Sequence, residues 1–158
     1  MIRQVSVFFP VYNEETNLSK TVESAVETLK NNFEDWEIII VDDGSKDQSL
    51  EVARSLAERD RRIRVIHHPI NRGYGAAFKS GAYGAQYEWV AFTDSDGQFD
   101  FSEITSFIKV QDETGADLVI GHYLERHVPF YRKINTFLWE TVVRVLFGLN
   151  VKDIDCAF

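Results

Sequence analysis

Glu37-Ile38-Ile39-Ile40-Val41-Asp42-Asp43-Gly44-Ser45 joins an unbroken apolar run to an acidic turn. The apolar residues are all β-branched and suit a pleated strand. They do not alternate with polar ones, so both faces of the strand are covered, as in a parallel sheet sheathed by helices. The strand reading extends over Trp36–Val41, and similar short runs occupy Gln4–Phe9, Ile63–His67, Trp89–Thr93 and Leu118–Gly121.

Helical patterns separate these runs. Asn17–Lys30 spaces Leu18, Val22, Ala25, Val26 and Leu29 along one face, and Ser49–Arg59 does the same with Leu50, Ala53, Leu56 and Ala57. Gly73–Ala85 is small and alanine-rich. Asp100-Phe101-Ser102-Glu103 has the spacing of a capping box, opening a helix to about Glu113 with Gly115 as its stop. Ile134–Leu149 reads as a last, largely apolar helix whose main polar stripe is Thr136, Glu140 and Arg144; it lies at a bilayer interface or is covered by protein, the latter favoured with one end near membrane. Strand–helix alternation predicts a doubly wound α/β sheet with right-handed crossovers, and such sheets bind ligands beyond the carboxyl ends of their strands.

Four consecutive predicted strands end in polar turn formers on that edge: Pro10-Val11-Tyr12-Asn13-Glu14, Asp42-Asp43-Gly44-Ser45, Asn71-Arg72-Gly73-Tyr74-Gly75 and Asp94-Ser95-Asp96-Gly97-Gln98. Asp94 and Asp96, two apart in extended chain, point to one side. Two such carboxylates repel each other unless a cation or donors lie between them, and oxygen ligands suit magnesium or manganese; a solvated turn of capping aspartates is the plain alternative. In the Asp42-Asp43 turn one carboxylate is placed to accept N–H groups of a nucleobase, while Asp47 caps the following helix. The Asn71–Gly75 glycines allow a helix start to approach a ligand or simply pack against the sheet, without the Lys-Ser/Thr ending of a phosphate-binding P-loop. Arg132-Lys133 carries a guanidinium suited to a diphosphate, or is a solvated basic pair. His67, His68, His122 and His127 lack zinc-ligand spacing and read as ordinary residues, with His122 following a strand.

Composition narrows the function. A net charge of −8 over 158 residues argues against gripping a nucleic-acid backbone. One cysteine, Cys156, precludes an internal disulfide and fits a reducing compartment. The first residues lack the pattern of a signal peptide, and no segment holds the roughly 18–20 apolar residues of a membrane span. The chain reads as soluble or peripheral, in the cytoplasm or at the cytoplasmic face of a membrane.

Together the four strand-end motifs resemble family 2 glycosyltransferases of the GT-A fold, a Rossmann-like, mostly parallel sheet flanked by helices. Pro129-Phe130-Tyr131-Arg132-Lys133 and Phe147-Gly148-Leu149, followed by Asp153-Ile154-Asp155-Cys156-Ala157-Phe158, resemble the polyprenyl-phosphate branch of that family. The resemblance implies that Pro10, Tyr12, Glu14, Val41 and Asp43 hold the nucleoside of a GDP-mannose or UDP-glucose type donor. It implies that Asp94, Ser95, Asp96 and Gln98 hold diphosphate and Mg2+ or Mn2+, with Asp94, Asp96 and Gln98 on the metal, and that Arg132 contacts phosphate. Asp96 and Arg132 are then the catalytic residues. By the same resemblance, residues 1–158 are expected to form a single catalytic domain whose last residues fall inside a continuing motif, with the acceptor region incomplete. The implied reaction is inverting transfer to a polyprenyl phosphate. That acceptor is largely dianionic at neutral pH, since its second pKa is about 6, and it needs no general base. Two alternatives stand beside it: transfer to a sugar hydroxyl, which needs a carboxylate base, Asp153, Asp155 or a residue beyond Phe158, and a non-catalytic fragment that only binds nucleotide sugar.

Overall fold

The computed structural model describes residues 3–97, 100–121 and 130–148, with side chains only in part over the last of these ranges. Its elements are β1 (Gln4–Val11), α1 (Leu18–Asn32), β2 (Asp35–Asp42), α2 (Ser49–Arg59), β3 (Ile63–His67), α3 (Tyr74–Gly84), β4 (Val90–Phe92), a 3-10 turn (Phe101–Glu103), α4 (Ile104–Thr114) and α5 (Phe130–Phe147). The four strands form one parallel sheet in the order β3-β2-β1-β4. Strand order reverses between β1 and β4, and the ligand crevice of a doubly wound sheet lies at such a reversal.

The apolar residues of β1 and β2 divide between the two faces. Val5, Val7, Phe9 and Val11 of β1 and Ile38 and Ile40 of β2 join α1, α2, Phe101 and Ile104 in the larger core. Phe8, Ile39 and Val41 face the other way, against Ala77 of α3. This two-sided burial is why Ile38–Val41 shows no alternation in sequence. Gly81 lets α3 approach β1: a Cβ there would lie 2.4 Å from the Phe8 ring. That ring is held edge-on by Phe78 and stacked by Phe92, so it has nowhere to retreat.

At the amino-terminal end of the sheet Glu37 is buried but fully engaged. It accepts from Ser6 Oγ at 2.6 Å, from the Gln86 N–H at 2.7 Å and from Arg64 at 2.8 and 2.9 Å. Arg64 also donates to the Gly84 carbonyl at 2.7 Å, capping the end of α3. The network ties the α3–β4 connection to the sheet and satisfies a charge that would be costly to bury alone.

Two expectations are corrected. Leu118–Gly121 is not a strand: among the described residues no ladder reaches it, and Leu118 and Ile120 are exposed. Leu118, Val119 and Ile120 line an apolar cavity of about 150 Å³ together with Val90, Ala91 and Phe92 of β4, and β propensity without a hydrogen-bonding partner does not make a strand. Asp100 caps a 3-10 turn through the Ser102 N–H, and α4 begins only at Ile104 before ending at left-handed Gly115. Of the α5 side chains described, Val143 is buried, while Leu138, Trp139, Val142, Val145, Leu146 and Phe147 are exposed within this chain. No helix among the described residues is long and apolar enough to cross a membrane.

Candidate nucleotide-sugar site

The crevice opens because β4 is short. Ladder pairing of β1 with β4 ends at Phe8 and Phe92, whereas pairing with β2 continues to Val11 and Asp42. Alternate residues of a parallel strand bond to opposite neighbours. The Ser6 N–H donates to Trp89 and the Asp43 N–H donates to the Val11 carbonyl, so Pro10 faces the β4 side. Pro10 therefore sits where no donor is needed, which is how a central strand tolerates proline. Its free carbonyl accepts from Ser95 Oγ at 2.9 Å. Ser95 is buried, and Thr21 Oγ1 donates to its carbonyl at 3.3 Å. With Ser95 pinned inward, Asp94 and Asp96 lie on the cleft wall on either side of it. Ser95 thus holds the acidic loop to β1 and also lines the cleft.

The opposite wall is a latch between two loops. Asn13, left-handed at φ 59°, donates its N–H to Ser45 Oγ at 3.1 Å and accepts from the Lys46 N–H at 2.8 Å. The Glu14 N–H donates to Ser49 Oγ at 2.8 Å, and the Glu15 N–H to Asp47 at 3.1 Å. Asp47 also accepts from the Ser49 N–H and hydroxyl, the helix-capping role expected of it. This latch presents Tyr12 and Glu14 to the cleft. Gly44, at φ 71°, is required: a Cβ would lie 2.5 Å from the backbone of Ile70 and Asn71.

Asp43 is the hinge of the site. Its Oδ1 lies 2.6 Å from His68 Nδ1 and accepts from the Arg72 N–H at 3.0 Å; Oδ2 accepts from the Gly73 N–H at 2.8 Å. His68 is itself buried, with Nε2 2.9 Å from Ser80 Oγ on α3. Burial pushes the Asp43 carboxyl up, but the bonds from His68, Arg72 and Gly73 outweigh it and hold the group below the usual carboxylate range. Asp94 moves the other way. Burial raises it; the Tyr74 hydroxyl, donating at 3.2 Å, pulls it down; the charges of Asp96 and Glu14 push it up again, and the net direction is up.

The result is a cleft of about 420 Å³ lined by Pro10, Val11, Tyr12, Glu14, Asp43, Asn71, Gly73, Tyr74, Ala77, Asp94, Ser95 and Asp96. These are the carboxyl-end loops of all four strands. Four lining side chains are carboxylates, and none of the described lining residues is lysine or arginine. Such a surface repels a diphosphate unless a cation intervenes. Among the described residues no cluster of three metal-binding side chains forms. Asp94 and Asp96 still suit a hard divalent ion that takes one or two carboxylates and completes its shell with phosphate and water.

Among the residues singled out in sequence, the structure gathers Pro10, Tyr12, Glu14, Asp43, Asp94, Ser95 and Asp96 around this cleft. Val41 it does not: the side chain is buried under α3. Gln98 lies outside the described residues, as do Asp153, Asp155, Cys156, His122 and His127, and Arg132 is placed only as a backbone position in α5. Sequence reasoning missed Tyr74, Thr21 and His68. The doublet His67-His68 at a strand end was the available signal, but only the fold brings His68 to Asp43.

A family model described as "Glycosyl transferase family 2" matches residues 6–150. Over 98% of its length the chain is 33% identical to dolichyl-phosphate beta-glucosyltransferase ALG5D of Trichomonas vaginalis, covering 52% of that protein. It is 31% identical, again over 98% of its length, to undecaprenyl-phosphate 4-deoxy-4-formamido-L-arabinose transferase of Edwardsiella ictaluri, covering 48%. The chain thus spans about half the length of these curated relatives. The fold is shared with the mannosyltransferase PcManGT of Pyrobaculum calidifontis, solved with GDP-Man and Mn2+, at a TM-score of 0.61 and 23% identity over 81% of this chain and 37% of that one.

Proposed function

The chain belongs to glycosyl transferase family 2, and from that membership we propose that it carries the donor-binding half of an enzyme that moves a sugar, with inversion, from a nucleoside diphosphate to a polyprenyl phosphate. The observation that carries this reading is the acidic cleft where β1 and β4 part, lined by Asp94 and Asp96 together with Tyr12, Glu14 and Asp43. The lipid acceptor is supported by the two relatives named above, each of which transfers to a lipid-linked phosphate by its name.

In this reading Tyr12, Glu14 and Asp43 receive the nucleoside, and Asp43, held ionised by its donors, accepts from the base. Asp94 and Asp96 would hold a divalent cation, with Gln98 added by resemblance. A bound Mg2+ or Mn2+ supplies charge neutralisation for the departing diphosphate. Tyr74 orients Asp94, and Ser95 fixes the distance of the acidic loop from β1. Arg132 is assigned to phosphate by resemblance. The acceptor phosphate attacks as an anion, so the site needs no general base. The exposed apolar side chains of α5 support a membrane-surface role for that helix, where a polyprenyl acceptor resides.

Titration calorimetry of this chain with UDP and GDP, with and without Mn2+, tests the donor site. Metal-dependent affinity for at least one nucleotide is expected, and Asp96→Ala removes the metal dependence. Absence of metal-dependent binding to either nucleotide overturns the proposal. Incubation with labelled nucleotide sugars and polyprenyl phosphate tests the acceptor.

A further inference from the structure

The hydrogen bonds around Asp43 leave it little freedom to accept more. A carboxylate oxygen has about two good acceptor directions. Oδ1 uses both, on His68 Nδ1 and the Arg72 N–H. Oδ2 uses one, on the Gly73 N–H. The clamp is rigid because His68 is buried and braced on its far side by Ser80, while Arg72 and Gly73 are backbone donors at the start of α3. Asp43 is buried apart from about 5% of its side chain, yet it lines the cleft, and these bonds leave it one acceptor direction.

Bases that read a carboxylate differ in what they offer. Uracil has one ring N–H between two carbonyls, so a single acceptor satisfies it. Guanine offers a ring N–H and an adjacent amino group side by side, a pair that matches two carboxylate oxygens at once. Against Asp43 as it stands, guanine would leave its amino group without a partner or would displace a clamp donor, and either outcome leaves a polar group unsatisfied. Resting on the donor-site reading above, we propose that the His68 clamp is a specificity device: it makes Asp43 a one-acceptor reader and directs the cleft to uridine rather than guanosine diphosphates. His68 acts through Asp43 and is a positioning residue.

The test compares UDP, GDP and inorganic pyrophosphate, each with Mn2+, by titration calorimetry on wild-type protein and on His68→Ala and His68→Asn. Wild type binds UDP about tenfold or more tightly than GDP, as one unmet hydrogen bond in a site predicts. His68→Ala frees Oδ1 and narrows that preference severalfold, while pyrophosphate affinity, which reports only on the acidic loop, stays within about twofold of wild type. His68→Asn, whose amide replaces the Nδ1 donor, restores most of the preference and serves where the alanine variant folds poorly. Equal or tighter binding of GDP by wild type overturns the inference, and so does an unchanged UDP-to-GDP ratio in His68→Ala. If wild type binds neither nucleotide, it is the donor-site reading that fails, and the specificity proposal falls with it.

Discussion

Ser95 shows how much one hydroxyl decides. Its bond to the Pro10 carbonyl closes the gap left where β1 loses its β4 partner, and it turns Asp94 and Asp96 toward the cleft. Ser95→Ala strands a buried carbonyl and removes the anchor. We expect a loss of about 1–3 kcal/mol in urea unfolding and metal-dependent nucleotide affinity weakened about tenfold by calorimetry. A variant with wild-type affinity would show that the acidic loop is held some other way. At this scale the sequence was informative about which residues gather, because strand ends carry them, and uninformative about their duties. Ser95 reads as a ligand in the acidic triplet, and its bond to Pro10, invisible in sequence, ties that triplet to the sheet. His68 reads as ordinary yet clamps Asp43, since nothing local connects positions 25 residues apart.

Among the elements, α3 is the most constrained. It must cross the sheet to reach β4, lie flat on Phe8 and Ile39, and begin where Asp43 can hold Gly73. Gly81 permits the flat approach. Gly81→Ala drives a methyl into a ring fixed by Phe78 and Phe92; overpacking of this kind costs about 1–3 kcal/mol. The expected readout is a lower thermal midpoint with weaker nucleotide binding, because the start of α3 shifts with its body. Small residues at Gly73–Ala85 were legible as a helix that approaches something closely; that the something is Phe8 was not. Leu118–Gly121 is the converse case. Its composition suits a strand, but a strand exists only through its neighbour, and β4 bonds to β1 alone among the described residues.

For the whole molecule, carboxylates link the site to stability. Asp43 and Asp47 are buried enough to be pushed up, yet their hydrogen bonds bring both below the ordinary value of 3.8. Asp60 is lowered chiefly by its bond with Arg62, whose guanidinium lies 3.9 Å above the Trp36 ring. A carboxyl whose folded pKa is depressed stabilises the protein fully above its unfolded pKa, and that contribution drains away as pH falls through the folded value. Stability measured by urea midpoint should therefore hold from about pH 7 to 5 and fall steeply below about pH 4. Asp43→Asn should flatten that acid slope; an unchanged slope would mean the Asp43 clamp contributes nothing to acid sensitivity. By itself the sequence determined the α/β class, the order of the first four strands with the helices between them, and the edge where the polar turn formers collect. These depend on periodicity and turn chemistry, which are local. Only the tertiary structure decided that β4 is short enough to open a crevice beside β1, that Val41 is core while Asp43 is cleft, and that a histidine from the end of β3 fixes what Asp43 can still accept. Those outcomes depend on which distant groups share a hydrogen bond or a face, and pairings across the sheet leave no periodic trace along the chain.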